Sequence, residues 1–437
     1  MPTHMTTERL RAVTKFALTC YGTRGEVEPC AAVGRELLRR GHEVRMAVPP
    51  DLVEFVEAAG LTTVAYGPDS LSFYDEEFLR NFWTDFLRNF WKIRDPIRML
   101  LKVWEPMTRR WPEMSATLKS LADGADLLVT AVILQEAAAN VAQHYNIPLA
   151  ALHHFPMRAN GQLVPTLPSP LLRSVMTAND WLFWRMTKKV EDAQRAELGL
   201  PKAAGPSPRR IAERGSLEIQ TYDGFCFPGL AAEWAKSNGR RPFVGALTLE
   251  LPTATDDEVA SWIAAGTPPI CFAFGSVPVE SAADTIAMIA AACAQLGERA
   301  LVCAGWSDLS DVPHLDHVKV VGAVNYAAIF PACRAVVHHG GSGTTAASLR
   351  AGVPTLILWA TSDQPYWGTA VKRLQAGTAR RSSTATRESL VADLRRILAP
   401  PYVTRAREIA TRMTKPAESA ANAADLLENL ARAKHLG

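Results

Sequence analysis

The sequence has no cysteine pairing pattern, almost no excess of either charge and no apolar run long enough to cross a membrane. Its seven cysteines are scattered and never form a Cys-x-x-Cys pair. That argues against a disulfide scaffold and a zinc site, and it fits a reducing cytosol. Lys and Arg number 47 against 44 Asp and Glu, a net charge of +3 over 437 residues. This gives no electrostatic basis for binding nucleic acid. The longest apolar run, near Leu127–Leu134, falls far short of the roughly 18 to 20 residues that span a bilayer. Met1 to Lys15 is polar and leads into only six or seven apolar residues, which is no secretory signal. The expectation is a cytoplasmic protein whose membrane contact, if any, is peripheral to the inner face of the plasma membrane.

What is present is an ordinary globular composition, 48% apolar and 21% charged, in a chain long enough for two or three domains of about 100 to 200 residues. Lys15–Tyr21 reads as a strand, residues 22–28 as a turn, and Pro29 as the first position of a helix. Ala32, Val33, Leu37 and Leu38 form that helix's apolar stripe, and Gly41 stops it. With a strand at Glu43–Val48 this is a βαβ unit, whose strands are parallel and whose crossover is right-handed. Further strands are expected at Leu127–Ala131 and Leu149–His153. A Gly, Pro and Thr/Asp-rich stretch over 240–255 reads as a linker. Beyond it, strands are expected at Ile270–Phe274, Ala300–Cys303, Val318–Val321, Ala335–His338 and Thr355–Trp359. The fold class is therefore α/β: two Rossmann-like parallel-sheet domains facing a cleft, 1–245 and 246–415. The last helix, 416–437, could pack on either.

A short duplication places Phe78-Leu79-Arg80-Asn81-Phe82-Trp83 again at Phe86–Trp91. Phe78, Phe82, Phe86 and Phe90 fall on one helical stripe, interleaved with basic residues. This fits an amphipathic helix laid on the core, or an apolar acceptor groove or lipid-facing surface.

The most informative block is Ala335–Gly368. A buried strand runs into His-His-Gly-Gly-Ser-Gly-Thr-Thr, then a short helix, Gly352-Val353-Pro354 and another strand ending before Asp363-Gln364. Small residues let backbone N–H groups approach an anion, and the helix start adds roughly half a positive charge. A diphosphate can be held there without a metal. No Lys follows the glycines, so this is not a Walker loop.

HHGGSGTT…RAGVP…DQPYW resembles the nucleotide-sugar signature of GT-B glycosyltransferases, and YGTRGEVEPCAAVGRELLRRGHEVRMAVPP resembles the start of the same family. The likeness covers essentially the whole chain and points to actinobacterial enzymes that decorate glycopeptides, macrolides and, nearer still, mycobacterial glycopeptidolipids. It implies that His339, Gly341, Ser342, Gly343 and Thr344 hold the donor's diphosphate and that Asp363 and Gln364 bind sugar hydroxyls. Ser276 would face the phosphates from the other side, and the backbone of Val324 would read the base edge. Trp306 would stack on the base or else be a core indole; His338 is a packing residue or a further contact. Phe82, Phe86, Phe90, His153 and His154 are the candidate acceptor contacts.

The resemblance also implies an inverting reaction whose base lies after the first strand. The family has His or Asp there, and the matching residue here is Glu26. A Glu is ionised at neutral pH and can accept the acceptor's proton, but it reaches one methylene further than Asp. Glu26 could instead serve only as a helix cap, and His153 and His154 are possible substitutes. Plant relatives hold the ribose with a Glu where Ala347 stands here, which tilts the donor from UDP towards dTDP. The donor would be a nucleotide-sugar of a deoxyhexose such as rhamnose or 6-deoxytalose, and the acceptor a hydrophobic lipopeptide or lipid. The sequence has no Asp-x-Asp element, and the cluster His314-Leu315-Asp316-His317 lies before a strand, so neither a metal nor a cofactor is expected. A nicotinamide enzyme fails because Gly22 and Gly25 leave the G-x-G-x-x-G fingerprint broken. A non-catalytic sugar-nucleotide binder remains if Glu26 is only a cap.

Overall fold

The structure, a computed structural model, describes residues 13–70, 96–164, 166–274, 282–303, 315–360 and 363–435. Phe82, Phe86, Phe90, Ser276 and Trp306 lie outside these residues. The first sheet holds β1 (Lys15–Thr19), β2 (Glu43–Val48), β3 (Thr62–Ala65), β4 (Leu127–Thr130), β5 (Leu149–His153) and β6 (Leu217–Gln220) in the order β3-β2-β1-β4-β5-β6. The second holds β7 (Ile270–Ala273), β8 (Ala300–Cys303), β9 (Val318–Val321), β10 (Ala335–His338), β11 (Thr355–Trp359) and β12 (Gly377–Arg381) in the order β12-β11-β10-β7-β8-β9. All pairings are parallel, and counted outward from its first strand each sheet has the same order. The order therefore reverses at β1/β4 and at β7/β10. In open parallel sheets a crevice forms there, beyond the carboxyl ends of the strands.

Central strands are covered on both faces, so they read as continuous apolar runs. β4, β7 and β10 are buried along their whole length. The sequence expectations omit β3, β6 and β12, all of them edge strands. The segments TTVA and GTARR carry polar residues because one side of an edge strand is not covered by a neighbour, whereas in LEIQ the polar Glu218 and Gln220 are buried and their amides bond the Arg240 and Pro242 carbonyls of the chain alongside at 2.8 Å.

The first helix departs from expectation. It spans Arg24–Arg39 with Thr23 as N-cap, so Pro29 sits inside it and not at its first position. The amides of Glu26 and Val27 already bond the Thr23 carbonyl, at 3.0 and 3.2 Å. Proline there forfeits the bond to the Gly25 carbonyl, and Gly25 is exposed, so water can take the place of the missing donor.

The last helix, Pro416–His435, returns to the first sheet. Its Ala423, Ala424, Leu427 and Ala431 are buried in one cluster with Val27, Cys30 and Leu37 of the first helix. Arg40 fixes it by donating to Asp425 at 2.6 Å, to Glu428 at 3.0 Å and to the Ala421 carbonyl at 3.1 Å.

The chain thus passes between the sheets twice, and one side chain grips both crossings. The guanidinium of Arg350 donates to the Ala246 carbonyl at 2.7 Å and to the Thr248 hydroxyl at 2.8 Å. It also donates to the Thr414 carbonyl at 2.9 Å, on the returning strand of chain. From the other side, Glu28 of the first helix accepts from the Leu249 amide at 2.8 Å. Asp223 accepts from the Thr414 amide and hydroxyl at 3.0 and 2.6 Å. Around these bonds Tyr222, Phe227 and Trp234 share an apolar cluster with Trp367, Val371 and Leu374, which joins the two halves. Arg350→Met leaves the partly buried carbonyls of Ala246 and Thr414 without this donor. A loss of about 2–4 kcal/mol is expected from the desolvation cost of unpaired polar groups, read by urea unfolding, together with faster hydrogen exchange over residues 246–249.

Candidate functional site

The second switch point lies at the end of β10. The turn after it needs glycine at Gly340, which sits at φ +98° and whose Cβ would lie 2.7 Å from Ile357 Cγ2. His338 is buried within the fold and its Nδ1 accepts from the Gly340 amide at 3.0 Å. Burial and the neighbouring His339 push its pKa well down, so His338 is a neutral brace beneath the turn.

His339 lies over the loop. A Cβ on Gly341 would come within 2.5 Å of its Nε2, so only glycine lets the imidazole rest there. Burial lowers its pKa, opposed by the nearby Asp363 carboxylate and the Ala273 carbonyl. Its Nδ1 is buried with no hydrogen-bond partner among the described residues. Beside it the helix Ser342–Ala351 begins at Gly341 without any side-chain cap. Its first intrahelical bond runs from the Thr345 amide to the Gly341 carbonyl at 2.9 Å. The amides of Ser342, Gly343 and Thr344 precede that bond and so lack a helical acceptor, and residues 341–344 are half-exposed. Free amides and a helix dipole, with the His339 imidazole resting over the loop, together suit a multiply charged oxyanion.

Asp363 and Gln364 follow β11, close to that loop, and both are nearly buried. The Trp367 indole donates to Asp363 Oδ2 at 3.0 Å, and Gln364 Oε1 accepts from the Ala360 amide at 2.8 Å. Trp367 itself stands edge-on to Phe227 at 5.1 Å and to Tyr222 at 6.0 Å, both from the first half. Val324 is buried after β9, and the next residue, Asn325, donates its amide to Asp256 at 2.8 Å.

On the opposite side, Glu26 stands in the loop and helix opening after β1. It is half-buried, and Thr23 Oγ1 donates to its Oε2 at 2.8 Å. Its side chain folds over Gly22, where a Cβ would lie 2.9 Å from Glu26 Cγ. His154 follows β5 and points across to the second half, with its Nε2 3.9 Å from Asp363 Oδ2.

His153 requires a correction. It is 1% exposed, so it has essentially no surface to offer an acceptor. Its Nε2 lies 3.0 Å from the Gln135 amide nitrogen and its Nδ1 3.4 Å from that of Gln220. Burial, with Arg158 close by, pushes its pKa down to about 3. A neutral, enclosed imidazole of that kind is neither an effective base nor an acceptor contact. The network around it escaped sequence reasoning. Arg158 reaches both Glu218 and Gln135, and Arg241 donates to Glu218 at 2.7 Å. Also missed is Glu136, at the opening of the helix after β4. Burial raises its carboxyl to about 7, and its Oε1 has no partner among the described residues. In the sequence it is simply an acidic residue at a helix start.

Among the described residues no three His, Cys, Asp or Glu side chains group in a way that could hold a metal ion. His317 instead bonds the Ala290 carbonyl at 3.1 Å.

Two family models match the chain: the glycosyltransferase family 28 N-terminal domain over residues 16–115, and the erythromycin biosynthesis protein CIII-like C-terminal domain over residues 280–430. An uncharacterized glycosyltransferase of Mycobacterium tuberculosis is 64% identical over 96% of this chain and 99% of its own length. Glycosyltransferase GtfE of Amycolatopsis orientalis is 30% identical over 94% of this chain and 97% of its own. Among solved structures, the glycosyltransferase VinC in complex with dTDP has a TM-score of 0.63 at 19% identity, covering 96% of this chain and all of that one. The last likeness shows a shared fold.

Gly340→Ala tests the loop. A methyl group against Ile357 at a positive φ is expected to cost about 1–3 kcal/mol of stability. By displacing the turn it should also weaken nucleoside-diphosphate binding at least tenfold in calorimetry.

Proposed function

We propose, given that the chain belongs to the GT-B nucleotide-sugar glycosyltransferases, that it is an inverting hexosyltransferase acting on a hydrophobic acceptor. The donor is a dTDP- or UDP-linked hexose or deoxyhexose such as rhamnose or 6-deoxytalose. The acceptor is a hydroxyl of a lipopeptide core of the glycopeptidolipid kind, with a polyketide, sterol or other lipid as the alternative. The observation that carries this reading is the anion cradle: His339 lies beside the uncapped amides of Ser342, Gly343 and Thr344.

In the proposed step the acceptor hydroxyl attacks the anomeric carbon from the face opposite the diphosphate. Its proton passes to Glu26, the carbon–oxygen bond to the phosphate breaks, and the electron pair leaves with the diphosphate. The free amides and helix dipole meet that developing charge, which is where fixed dipoles lower a barrier most. The residues assigned to this chemistry need no metal, and no cofactor beyond the nucleotide-sugar is invoked. Support for dTDP comes from Ala347, which places no carboxylate where plant relatives bind a ribose hydroxyl, and from the dTDP bound to VinC. No transmembrane helix is found among the described residues, and the proposed location is the cytoplasm, with peripheral contact at the membrane's inner face.

One observation favours a second reading, a non-catalytic sugar-nucleotide binder. The Thr23 hydroxyl already donates to Glu26, as it would if the carboxylate only finished the helix. Glu26→Gln separates the two. The enzyme reading expects transfer to fall about 10²–10⁴-fold with donor affinity unchanged; unaltered transfer, or equal loss of transfer and binding, removes Glu26 as the base. For the carrier, a melting-temperature panel should rank dTDP-rhamnose above UDP-glucose. Ligand at 100 times its Kd stabilises by about 2.7 kcal/mol, so preference for UDP-glucose would reverse the donor assignment.

A further inference from the structure

We propose that His154 is a sugar-specificity residue, which shares one hydroxyl of the donor sugar with Asp363 across the two halves. This rests on the donor reading above, and it moves His154 from the acceptor to the donor.

The position follows from the two sheets. His154 comes directly after β5 of the first sheet, and Asp363 opens the helix after β11 of the second. Their side chains approach to 3.9 Å, Nε2 to Oδ2, and each is only 10% exposed. That separation is too long for a hydrogen bond between them. It is short enough for a single oxygen to bond both at about 2.8 Å. Two mostly enclosed polar groups separated by such a gap suit a hydroxyl that belongs to neither.

Several contacts fix the gap. Asp363 Oδ2 is held by the Trp367 indole at 3.0 Å, and Trp367 is wedged against Phe227 and Tyr222. His154 rests against the Phe155 ring, with centroids 5.3 Å apart. Asp363 also lies near enough to His339 for its charge to oppose the burial that lowers the imidazole's pKa. A sugar joined to a diphosphate at His339 therefore emerges beside Asp363, and so beside His154. A carboxylate accepts a hydrogen bond from a hydroxyl, and an imidazole N–H donates one to it. The pair thus recognises a hydroxyl that gives its proton to Asp363 and takes one from His154, and a sugar lacking that hydroxyl would leave both groups unpaired. A site built in this way discriminates strongly against the deoxy analogue.

The test compares dTDP with dTDP-rhamnose and UDP with UDP-glucose by calorimetry on the full chain, in the wild type, His154→Leu and His154→Gln. The expected result is unchanged dTDP or UDP affinity in both variants and at least tenfold weaker binding of the preferred nucleotide-sugar to His154→Leu. His154→Gln, which keeps a donor, should recover part of the loss. Unchanged nucleoside-diphosphate affinity also shows that the variants fold. Combining His154→Leu with Asp363→Asn should lose less than the sum of the single effects, because groups that share one hydroxyl are not independent. Unaltered nucleotide-sugar affinity in His154→Leu, equal weakening of sugar and sugar-free ligands, or strict additivity with Asp363→Asn would each overturn the proposal. Failure of every nucleotide to bind the wild type would instead overturn the donor reading on which it rests.

Discussion

The guanidinium of Arg350 sets the relation between the two halves on which the candidate site depends. Two parallel sheets joined by single strands of chain have no intrinsic reason to keep one orientation. Here the outgoing chain at Ala246 and Thr248 and the returning chain at Thr414 are bonded to the same side chain. A planar group with several rigidly placed donors suits this role better than a flexible ammonium would. Arg350 also lies near the end of the helix whose beginning forms the anion cradle. The same rigid rod therefore runs from the cradle to the crossings.

The chemistry at the cradle is mostly that of polar groups left unused by the fold. Amides at the opening of the helix Ser342–Ala351 are not taken up by a side-chain cap. Such groups would be costly in a core, where unpaired donors lose their water without return. At a half-exposed loop they stay solvated and remain available to an anion. By contrast, the polar groups around His153, Glu218 and Arg158 bond one another extensively. That network stiffens the first half beneath its surface and presents no reactive edge.

How far the architecture can be read from sequence depends on burial. β4, β7 and β10 are visible because strands covered on both faces must be apolar throughout. Edge strands such as Gly377–Arg381 carry no such signal. The anion loop is legible because its constraints are local: glycine at 340 and 341, a helix directly after, and no lysine. The orientation of two adjacent histidines is less so. His338 and His339 separate by the alternation of a strand running into a turn, and His153 and His154 do the same, but periodicity alone does not say which of each pair faces inward. The proline at 29 misleads for a related reason. Its preference for a helix's first turn is a tendency, and hydrogen bonding at Thr23 decides the start. Glu136 and the approach of His154 to Asp363 are beyond sequence reasoning, because they depend on how distant segments pack.

The indole of Trp367 serves both halves at once, holding Asp363 through its nitrogen while its rings abut Phe227 and Tyr222. Any rocking of one lobe against the other is therefore transmitted to that carboxylate. Substitutions far from the ligand, on the aromatic seam itself, become a route by which such a scaffold could retune its monosaccharide preference without altering a single residue in contact with the sugar.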